Sequence, residues 1–344
     1  NFSYCDEETR DAILAQFSPE FLISIIAEQG ESEYKLRKWG IYFIRMMTMY
    51  PFYDGQFKDF PQFIITFFLD IFQSLDKICL LYFLYALENI IIMHNTDTSH
   101  SLVSVEMMTA FNFQELIHYF IQNRNNGVVN DEILSIILKI AQYLLKCNRS
   151  SLDEGIVPVL LEIVNENYEI SSSLAIDIII DCISQSSPFK ESAIRNCSAE
   201  PIVTALWQTF TNSTHQIQVK IICFFDELVG TNLQTDISLT IPFIQVILPY
   251  LILYLHDVTN PEIITKILSI FDDILSIGDL IQFMDSILQI FMDNNIFEFL
   301  SNYENILMDC SNEEFDVIKA QVNCIMEYFS QSFEEEDGCD PNAI

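Results

Sequence analysis

Apolar helical segments arranged in pairs constrain the fold of this chain more than any other feature. Apolar residues recur at i, i+3, i+4 and i+7 through most of the sequence, in segments of about 10 to 18 residues. Within a pair, a shorter segment precedes a longer one, as Pro201 to Phe210 precedes Gln216 to Gly230. One pair cannot cover its own apolar face, so successive pairs must stack into a continuous core.

The pairs recur about every 40 to 46 residues, which is typical of armadillo and HEAT solenoids. Gly (8) and Pro (10) are scarce, which argues against an all-β chain rich in tight turns. The sequence therefore predicts an all-α, right-handed armadillo-type superhelical solenoid over residues 1–333. About seven helical repeats are expected, at residues 18–50, 60–94, 112–148, 155–186, 188–230, 241–278 and 279–333.

Three segments depart from this regular pattern. The polar insert Asn95 to Ala110 is expected to be mobile, and Ser186 to Cys197 is expected to carry a short first helix of the next repeat. Residues 334–344 begin with Glu334-Glu335-Glu336-Asp337 and are expected to form a disordered acidic tail.

One stretch is apolar enough to imitate a membrane span. No Asp, Glu, Lys or Arg occurs from Ile237 to His256, which reaches the roughly 18–20 residues that a span requires. However, Pro249 is expected to break a single long helix. We therefore expect two shorter helices meeting at a corner, with a membrane span as the alternative.

The charge balance bears on the class of partner. The net charge is −33, from 49 acidic and 16 basic residues, so phosphate backbones and anionic lipid should be repelled. Nucleic acid and membrane are not expected as partners, whereas basic protein segments are favoured. The alternative is that the acids only keep an apolar protein soluble.

Residues that would carry catalysis or a cofactor are missing from the sequence. The five histidines are far apart, and HExxH, GxGxxG, GxxxxGK and GxSxG patterns do not occur. The nine cysteines are odd in number and form no CxxC pair, which favours reduced thiols in the cytoplasm or nucleus. We expect no enzyme, no metal and no cofactor.

The long helices end in comparable ways. Asp181, Glu227 and Asp273 follow each other at equal intervals, since 227 − 181 = 46 and 273 − 227 = 46, and Asn89 precedes Asp181 by twice that interval. In a stack of repeats, equivalent positions form a ladder along one surface. These four residues are therefore candidates for a binding groove.

The sequence from about residue 150 to 340 resembles the importin alpha family. The resemblance is carried by Asn260–Ile264 (NPEII), Phe271–Asp279 (FDDILSIGD), Ile296–Asn305 (IFEFLSNYEN) and Ile325–Phe329 (IMEYF). In that family, ladder Asn residues hold the extended backbone of a nuclear localisation signal, and Trp residues one turn earlier form slots for its Lys and Arg side chains.

The resemblance assigns groove roles position by position. The Asn positions correspond to Asn89, Asp181, Glu227 and Asp273, and the Trp positions to Tyr85, Asp177, Cys223 and Ser269. Only one Asn and no Trp remains, so stacking worth about 0.5–2 kcal/mol per site is lost. Together with Asp226 and Asp272, the acidic replacements would make an electronegative strip that attracts Lys and Arg by charge.

The expected function is a non-enzymatic, cytoplasmic and nuclear adaptor that binds Lys/Arg-rich cargo segments for nuclear import. The alternative is a generic interaction scaffold with a degenerate groove and an unrelated partner. The family's basic importin-beta-binding segment has no match in the chain, so importin beta is expected as a partner only if such a segment precedes residue 1.

The only basic cluster of the chain surrounds Trp39. Lys35, Arg37, Lys38 and Arg45 lie close to it in sequence. This cluster is a candidate site for an acidic segment, including the chain's own tail; the alternative is local pairing with Glu31 and Glu33.

Overall fold

We describe the protein from a computed structural model. It describes residues 8–9, 12, 15–16, 19–27, 34–49, 60–93, 113–123, 127, 129–147, 154–166, 168–184, 187–230, 237–258, 260–280, 283–307 and 313–337. The predicted mobile insert Asn95 to Ala110 lies outside these residues.

Every regular element within the described ranges is a helix. In the amino-terminal part these are α1 (Pro19–Ala27), α2 (Tyr34–Met47), α3 (Phe60–Ile71), α4 (Lys77–Glu88), α5 (Phe113–Gln122) and α6 (Asp131–Cys147). A 3₁₀ turn (Phe72–Ser74) follows α3, and a π-helical segment (Asn89–Met93) follows α4.

The regular elements of the carboxy-terminal part are also helices. Its helices are α7 (Ile156–Asn165), α8 (Glu169–Ile183), α9 (Ser187–Cys197), α10 (Glu200–Asn212), α11 (His215–Val229), α12 (Ile237–Asp257), α13 (Pro261–Leu280), α14 (Met284–Asp293), α15 (Ile296–Leu307) and α16 (Glu313–Asp337).

The chain divides into two compact units, Asn1–Asp153 and Glu154–Ile344, which we call the amino-terminal and carboxy-terminal units. In the first, the long helices α2, α4 and α6 pack in chain order; in the second, α8, α11, α13 and α16 do so. The division falls between two predicted repeats, 112–148 and 155–186. The division into seven repeats stays a prediction.

Large apolar side chains on the inner faces of the long helices form the cores. In α4, Phe83 is fully buried and its ring lies 5.2 Å from Phe68 and 6.2 Å from Phe67, measured between centroids. In α11, Ile221, Phe225 and Leu228 are buried at helical spacing. Burying one such side chain stabilises the fold by about 1.5–3 kcal/mol.

Many predicted segments lie where the helices are found. The predicted segment Pro201 to Phe210 lies within α10, and the helix expected between Ser186 and Cys197 is confirmed as α9. Helix α14 was missed, although Ile287, Leu288 and Phe291 follow a helical pattern and are buried. Gly278 of α13 leaves room for this helix, since a Cβ there would lie 2.7 Å from Ile287 Cδ1.

The prediction that Pro249 ends a helix is wrong. Helix α12 runs unbroken from Ile237 to Asp257, with Pro242 and Pro249 inside it. An interior proline costs about 3 kcal/mol because it removes one backbone hydrogen bond and crowds the preceding turn. Burial offsets that cost along this helix, where Phe243, Ile247 and Leu251 are fully buried.

Helix α12 packs against α9, α10 and α14 inside the carboxy-terminal unit. Many of the apolar residues that imitate a membrane span, Phe243, Ile247 and Leu251 among them, are therefore core residues of that unit. Among the residues that the structure describes, no helix has both the length and the apolar character needed to cross a membrane.

The acidic tail begins later than expected. Helix α16 extends to Asp337, so residues 334–337, predicted to begin a disordered tail, are helical. The high helix propensity of Glu accounts for this extension. Residues 338–344 lie outside the described part of the chain.

Candidate interaction surfaces

Three of the four predicted ladder residues lie on successive stacked helices of the carboxy-terminal unit. Asp181 is on α8, Glu227 on α11 and Asp273 on α13, and each is half-buried. Helices α8 and α11 pack together, as do α11 and α13. Residues that are equally spaced in the sequence thus lie on neighbouring long helices of the stack.

The carboxylate of Asp177, one turn before Asp181, already has a cation. Lys220 of α11 donates from Nζ to Asp177 Oδ2 at 2.5 Å and to Ser173 Oγ at 2.7 Å. Both side chains of this ion pair are largely shielded from solvent, with 21% of Lys220 and 32% of Asp177 exposed. Asp177 is therefore neutralised within the protein, contrary to its expected role as a free groove acid.

Further along the stack, the acids outnumber the bases. Asp226 and Glu227 lie on α11, and Asp272 and Asp273 lie on α13. We call the six half-buried acids Asp177, Asp181, Asp226, Glu227, Asp272 and Asp273 the acidic surface. Cys223 and Ser269, the other two positions assigned to Trp slots, are half-buried on the same two helices.

The pKa values reflect this crowding of like charge. Burial raises the pKa of Asp273, and the carboxylates of Asp226 and Asp272 raise it further. Burial also raises the pKa of Asp226, with nearby Lys266 opposing the shift and Glu227 adding to it. Negative charge here is therefore only partly compensated by the protein's own cations.

Two further contacts border the acidic surface. The Cys324 thiol of α16 donates to Asp272 Oδ1 at 3.6 Å. On the other side, Lys190 of α9 is buried and donates to the carbonyl of Gly230, which ends α11, at 3.1 Å. Burial lowers the pKa of Lys190, and Glu227 acts in the opposite direction. Glu227 thus has a cation nearby.

In the amino-terminal unit, Tyr85, the position assigned to a Trp slot, is covered by a side chain of the protein itself. The Arg45 guanidinium of α2 lies over the rings of Tyr85 and Tyr82 of α4, at 4.5 Å and 5.3 Å from their centroids. The Tyr85 hydroxyl donates to Glu132 Oε1 of α6 at 2.6 Å, and this hydrogen bond is the main reason that the pKa of Tyr85 is raised to about 12. Arg45 thus already makes the cation–π contact with Tyr85 that a ligand cation would make.

Asn89, the one ladder position that keeps the Asn of the resemblance, also has an internal partner. It begins the π-helical segment after α4, and its Nδ2 donates to Thr48 Oγ1 at 3.3 Å. The Thr48 hydroxyl in turn donates to the carbonyl of Arg45 at 2.8 Å. One amide N–H of Asn89 therefore links α4 to the end of α2.

An aromatic cluster beside Tyr85 was missed by the sequence assignment of the groove. Trp39 and Tyr42 of α2 pack edge to face at 5.9 Å, and Tyr42 packs against Tyr82 at 5.4 Å. We call Trp39, Tyr42, Tyr82 and Tyr85, with Arg45, the aromatic surface. A sequence signal for it exists: two aromatic residues three apart recur after 43 residues, since 82 − 39 = 43 and 85 − 42 = 43.

Metal-ligating residue types do not cluster in the described part of the chain. The described residues contain no group of three or more His, Cys, Asp or Glu residues that could hold a metal ion. The thiols of Cys79, Cys182 and Cys197 are buried, and burial is the main reason that the pKa of each is raised to about 12. Such thiols are poor nucleophiles at neutral pH.

Comparison with known proteins gave structural similarity alone. No protein-family model matches the chain. No curated protein matches it in sequence. The crystal structure of SYS-1, an armadillo-repeat protein, aligns with 96% of this chain at a TM-score of 0.59 and 12% sequence identity. This chain spans 60% of the length of the SYS-1 chain.

A designed armadillo repeat protein in complex with the peptide (KR)4 aligns with 90% of this chain and 98% of its own, with 10% identity and a TM-score of 0.38. This second similarity is too weak to assign a ligand. The similarity to SYS-1 concerns the fold alone. The importin alpha resemblance stays a hypothesis, and what the comparison confirms is the predicted class: the chain is an all-α protein of the armadillo-type solenoid fold.

Proposed function

We propose that the protein is a non-enzymatic interaction scaffold that binds Lys/Arg-rich segments of other proteins at the acidic surface. The observation that carries the proposal is the crowding of carboxylates on α11 and α13, which the protein's own cations compensate only in part. Burial and neighbouring carboxylates raise the pKa of both Asp226 and Asp273. A cationic side chain placed between these helices would relieve that repulsion.

Binding of this kind should depend strongly on salt. Each exposed ion pair contributes about 0–1 kcal/mol, so several must act together, and each is screened by added salt. Cys223 and Ser269 provide no aromatic slot for a Lys or Arg stem. The net charge of −33 would raise the rate of encounter with basic segments.

Nuclear import is the more specific form of the proposal. The basic segment would then be a nuclear localisation signal, and the protein would work between cytoplasm and nucleus. This form rests on the importin alpha resemblance of residues 150–340. Importin beta would take part if a basic segment precedes residue 1.

Fluorescence anisotropy with a labelled Lys/Arg-rich peptide tests the proposal directly. The triple variant Asp226→Asn/Glu227→Gln/Asp273→Asn should bind about tenfold more weakly at low salt, because three ion pairs are removed. A matched triple variant, Glu200→Gln/Glu298→Gln/Asp316→Asn, removes the same charge from exposed positions on α10, α15 and α16 and should bind almost normally.

Equal weakening by both triple variants would show that only the net charge of the protein matters. No binding by the unmodified protein at low salt would exclude the proposal.

A second candidate function is a scaffold with an unrelated partner. It is favoured by the protein's own cations, which occupy two of the predicted groove positions. Arg45 covers Tyr85, and Lys220 neutralises Asp177. A partner whose affinity is unaffected by the first triple variant would support this second candidate.

A further inference from the structure

Helix α2 carries a concentration of positive charge that is unusual in so acidic a chain. Four of the 16 basic residues lie between positions 35 and 45, and Tyr34–Met47 contains no Asp or Glu. Two of the four have structural partners. Arg37 Nε donates to the carbonyl of Ile26 near the end of α1 at 3.0 Å, and Arg45 lies over Tyr82 and Tyr85.

The other two cations, Lys35 and Lys38, form no ion pair with any acid in the described part of the chain. The acid at the start of α4, Asp76, is already engaged. Its carboxylate accepts from the backbone N–H groups of Ile78 and Cys79 at 2.8 Å and 3.1 Å, and it also accepts from the Tyr34 hydroxyl. Within the described residues, no acid thus competes with an outside anion for the two lysines. Glu31 and Glu33 lie outside the described residues.

An exposed tryptophan of the aromatic surface lies next to these lysines in α2. Trp39 is 64% exposed, the largest exposed fraction among the large apolar side chains of the described residues. Its ring is held edge to face by Tyr42, so it forms a firm platform. Lys35, Lys38, Trp39 and Tyr42 follow i, i+3, i+4 and i+7 spacing and share one stripe of α2.

We propose that this stripe, formed by Lys35, Lys38, Trp39 and Tyr42, binds an acidic segment of a partner protein. Carboxylates of the segment would pair with the two lysines, and an aromatic or long aliphatic side chain of it would lie on the Trp39 ring. Tryptophan is enriched among the residues that dominate binding energy at interfaces. Charge complementarity to Lys35 and Lys38, on a helix without Asp or Glu, selects an anionic ligand for this stripe.

This ligand is opposite in charge to the one proposed for the acidic surface. The two sites lie on different units and involve no common residue. Failure of one proposal therefore leaves the other untouched.

The two tryptophans of the chain provide a direct readout. Trp39 is exposed, whereas Trp207 of α10 is half-buried and its ring lies 4.3 Å from that of Tyr254. A synthetic Glu/Asp-rich peptide with one central Phe, added to the full chain at about 50 mM salt, should change the emission of Trp39. The same titration of Trp39→Phe, which leaves only Trp207, should show no emission change. A labelled copy of the peptide should still bind that variant.

Affinity for the labelled peptide should respond to each part of the stripe. Trp39→Ala should weaken binding at least about tenfold, and Trp39→Phe should retain most of it. Lys35→Gln/Lys38→Gln should weaken binding about fivefold. The control Lys146→Gln/Arg195→Gln removes two exposed cations from α6 and α9 and should have little effect.

Three results would overturn the proposal. The first is absence of binding at low salt, and the second is equal weakening by the two double variants. The third is self-association of the chain, seen by sedimentation, that is lost in Lys35→Gln/Lys38→Gln; the occupant would then be a second copy. A Lys-rich peptide of equal length should leave Trp39 emission unchanged, which separates this site from the acidic surface.

Discussion

The aromatic surface and the acidic surface are built on the same kind of helix stack but carry opposite chemistry. In the amino-terminal unit, Trp39 is exposed and three tyrosines of α2 and α4 are half-buried, with Lys35 and Lys38 on the same helix as Trp39. In the carboxy-terminal unit, the corresponding faces of α8, α11 and α13 carry carboxylates. The repeat fixes where a surface forms, while a few side chains decide what that surface can bind.

The two surfaces share one kind of contact between neighbouring helices. A cation from one long helix covers a groove position on its neighbour: Arg45 of α2 lies over Tyr85 of α4, and Lys220 of α11 pairs with Asp177 of α8. Groove positions inferred from a repeat are thus not automatically free for a ligand. Partner binding is expected where this internal neutralisation is incomplete, around Asp226 and Asp273 or around Lys35 and Lys38.

The largest effects should come from the interior, where the two units are alike. Phe83→Ala in α4 and Phe225→Ala in α11 each remove a fully buried ring and should lower the free energy of unfolding by about 3–5 kcal/mol. Urea denaturation followed by circular dichroism measures the loss. Phe63→Ala in α3 is the control, because that ring is 39% exposed and its removal should cost much less. An equal cost for Phe63 would contradict the assignment of the core.

Coupling energies of intermediate size are expected for two ion pairs between helices, one in each unit, and the two should differ. A double-mutant cycle with Lys220→Met and Asp177→Leu should give a coupling energy of about 1–2 kcal/mol, since that pair is mostly shielded and hydrogen-bonded to Ser173 as well.

The matched cycle in the amino-terminal unit uses Lys139→Met and Glu88→Leu. Lys139 Nζ lies 3.4 Å from Glu88 Oε1 and is 46% exposed, so the coupling should be about 0–1 kcal/mol. If the exposed pair proved the stronger, internal neutralisation of Asp177 would lose its energetic basis.

Helical periodicity made the elements predictable, because one apolar stripe per helix is enough to reveal a helix. Helices Glu200–Asn212 and His215–Val229 begin and end within two residues of the predicted segments Pro201 to Phe210 and Gln216 to Gly230. Asp181, Glu227 and Asp273, chosen for their equal spacing, lie on successive packed helices, and their equivalence as groove positions stays a prediction.

Features that depend on contacts between helices were not predictable. The helix-breaking effect of Pro249 was overcome by burial of Phe243, Ile247 and Leu251, which a local rule does not include. Arg45 and Lys220 were not recognised as partners of Tyr85 and Asp177, because their separations of 40 and 43 residues depend on how neighbouring helices are offset.

The smallest effect is a pH-dependent gain in stability at the acidic surface. Burial first, then Asp226 and Asp272, raise the pKa of Asp273 above its usual value of 3.8. The native state therefore binds this proton more tightly than the unfolded state does, and ionised Asp273 lowers stability at neutral pH. Stability lost in this way returns as the pH falls through the native pKa toward 3.8.

Asp273→Asn removes the charge at every pH. We expect it to increase the free energy of unfolding at pH 7 by less than about 1 kcal/mol, since the side chain is only half-buried. A rise in the midpoint of thermal unfolding measures this gain. The gain should shrink as the pH falls through the native pKa, because the native carboxyl then takes up its proton. Asp316→Asn is the control: Asp316 is exposed near the start of α16, where negative charge is favourable, so its loss should not stabilise. If the gain from Asp273→Asn did not depend on pH, the charge of Asp273 would not be its cause. Packing, and not crowded negative charge, would then distinguish the acidic surface from the aromatic surface.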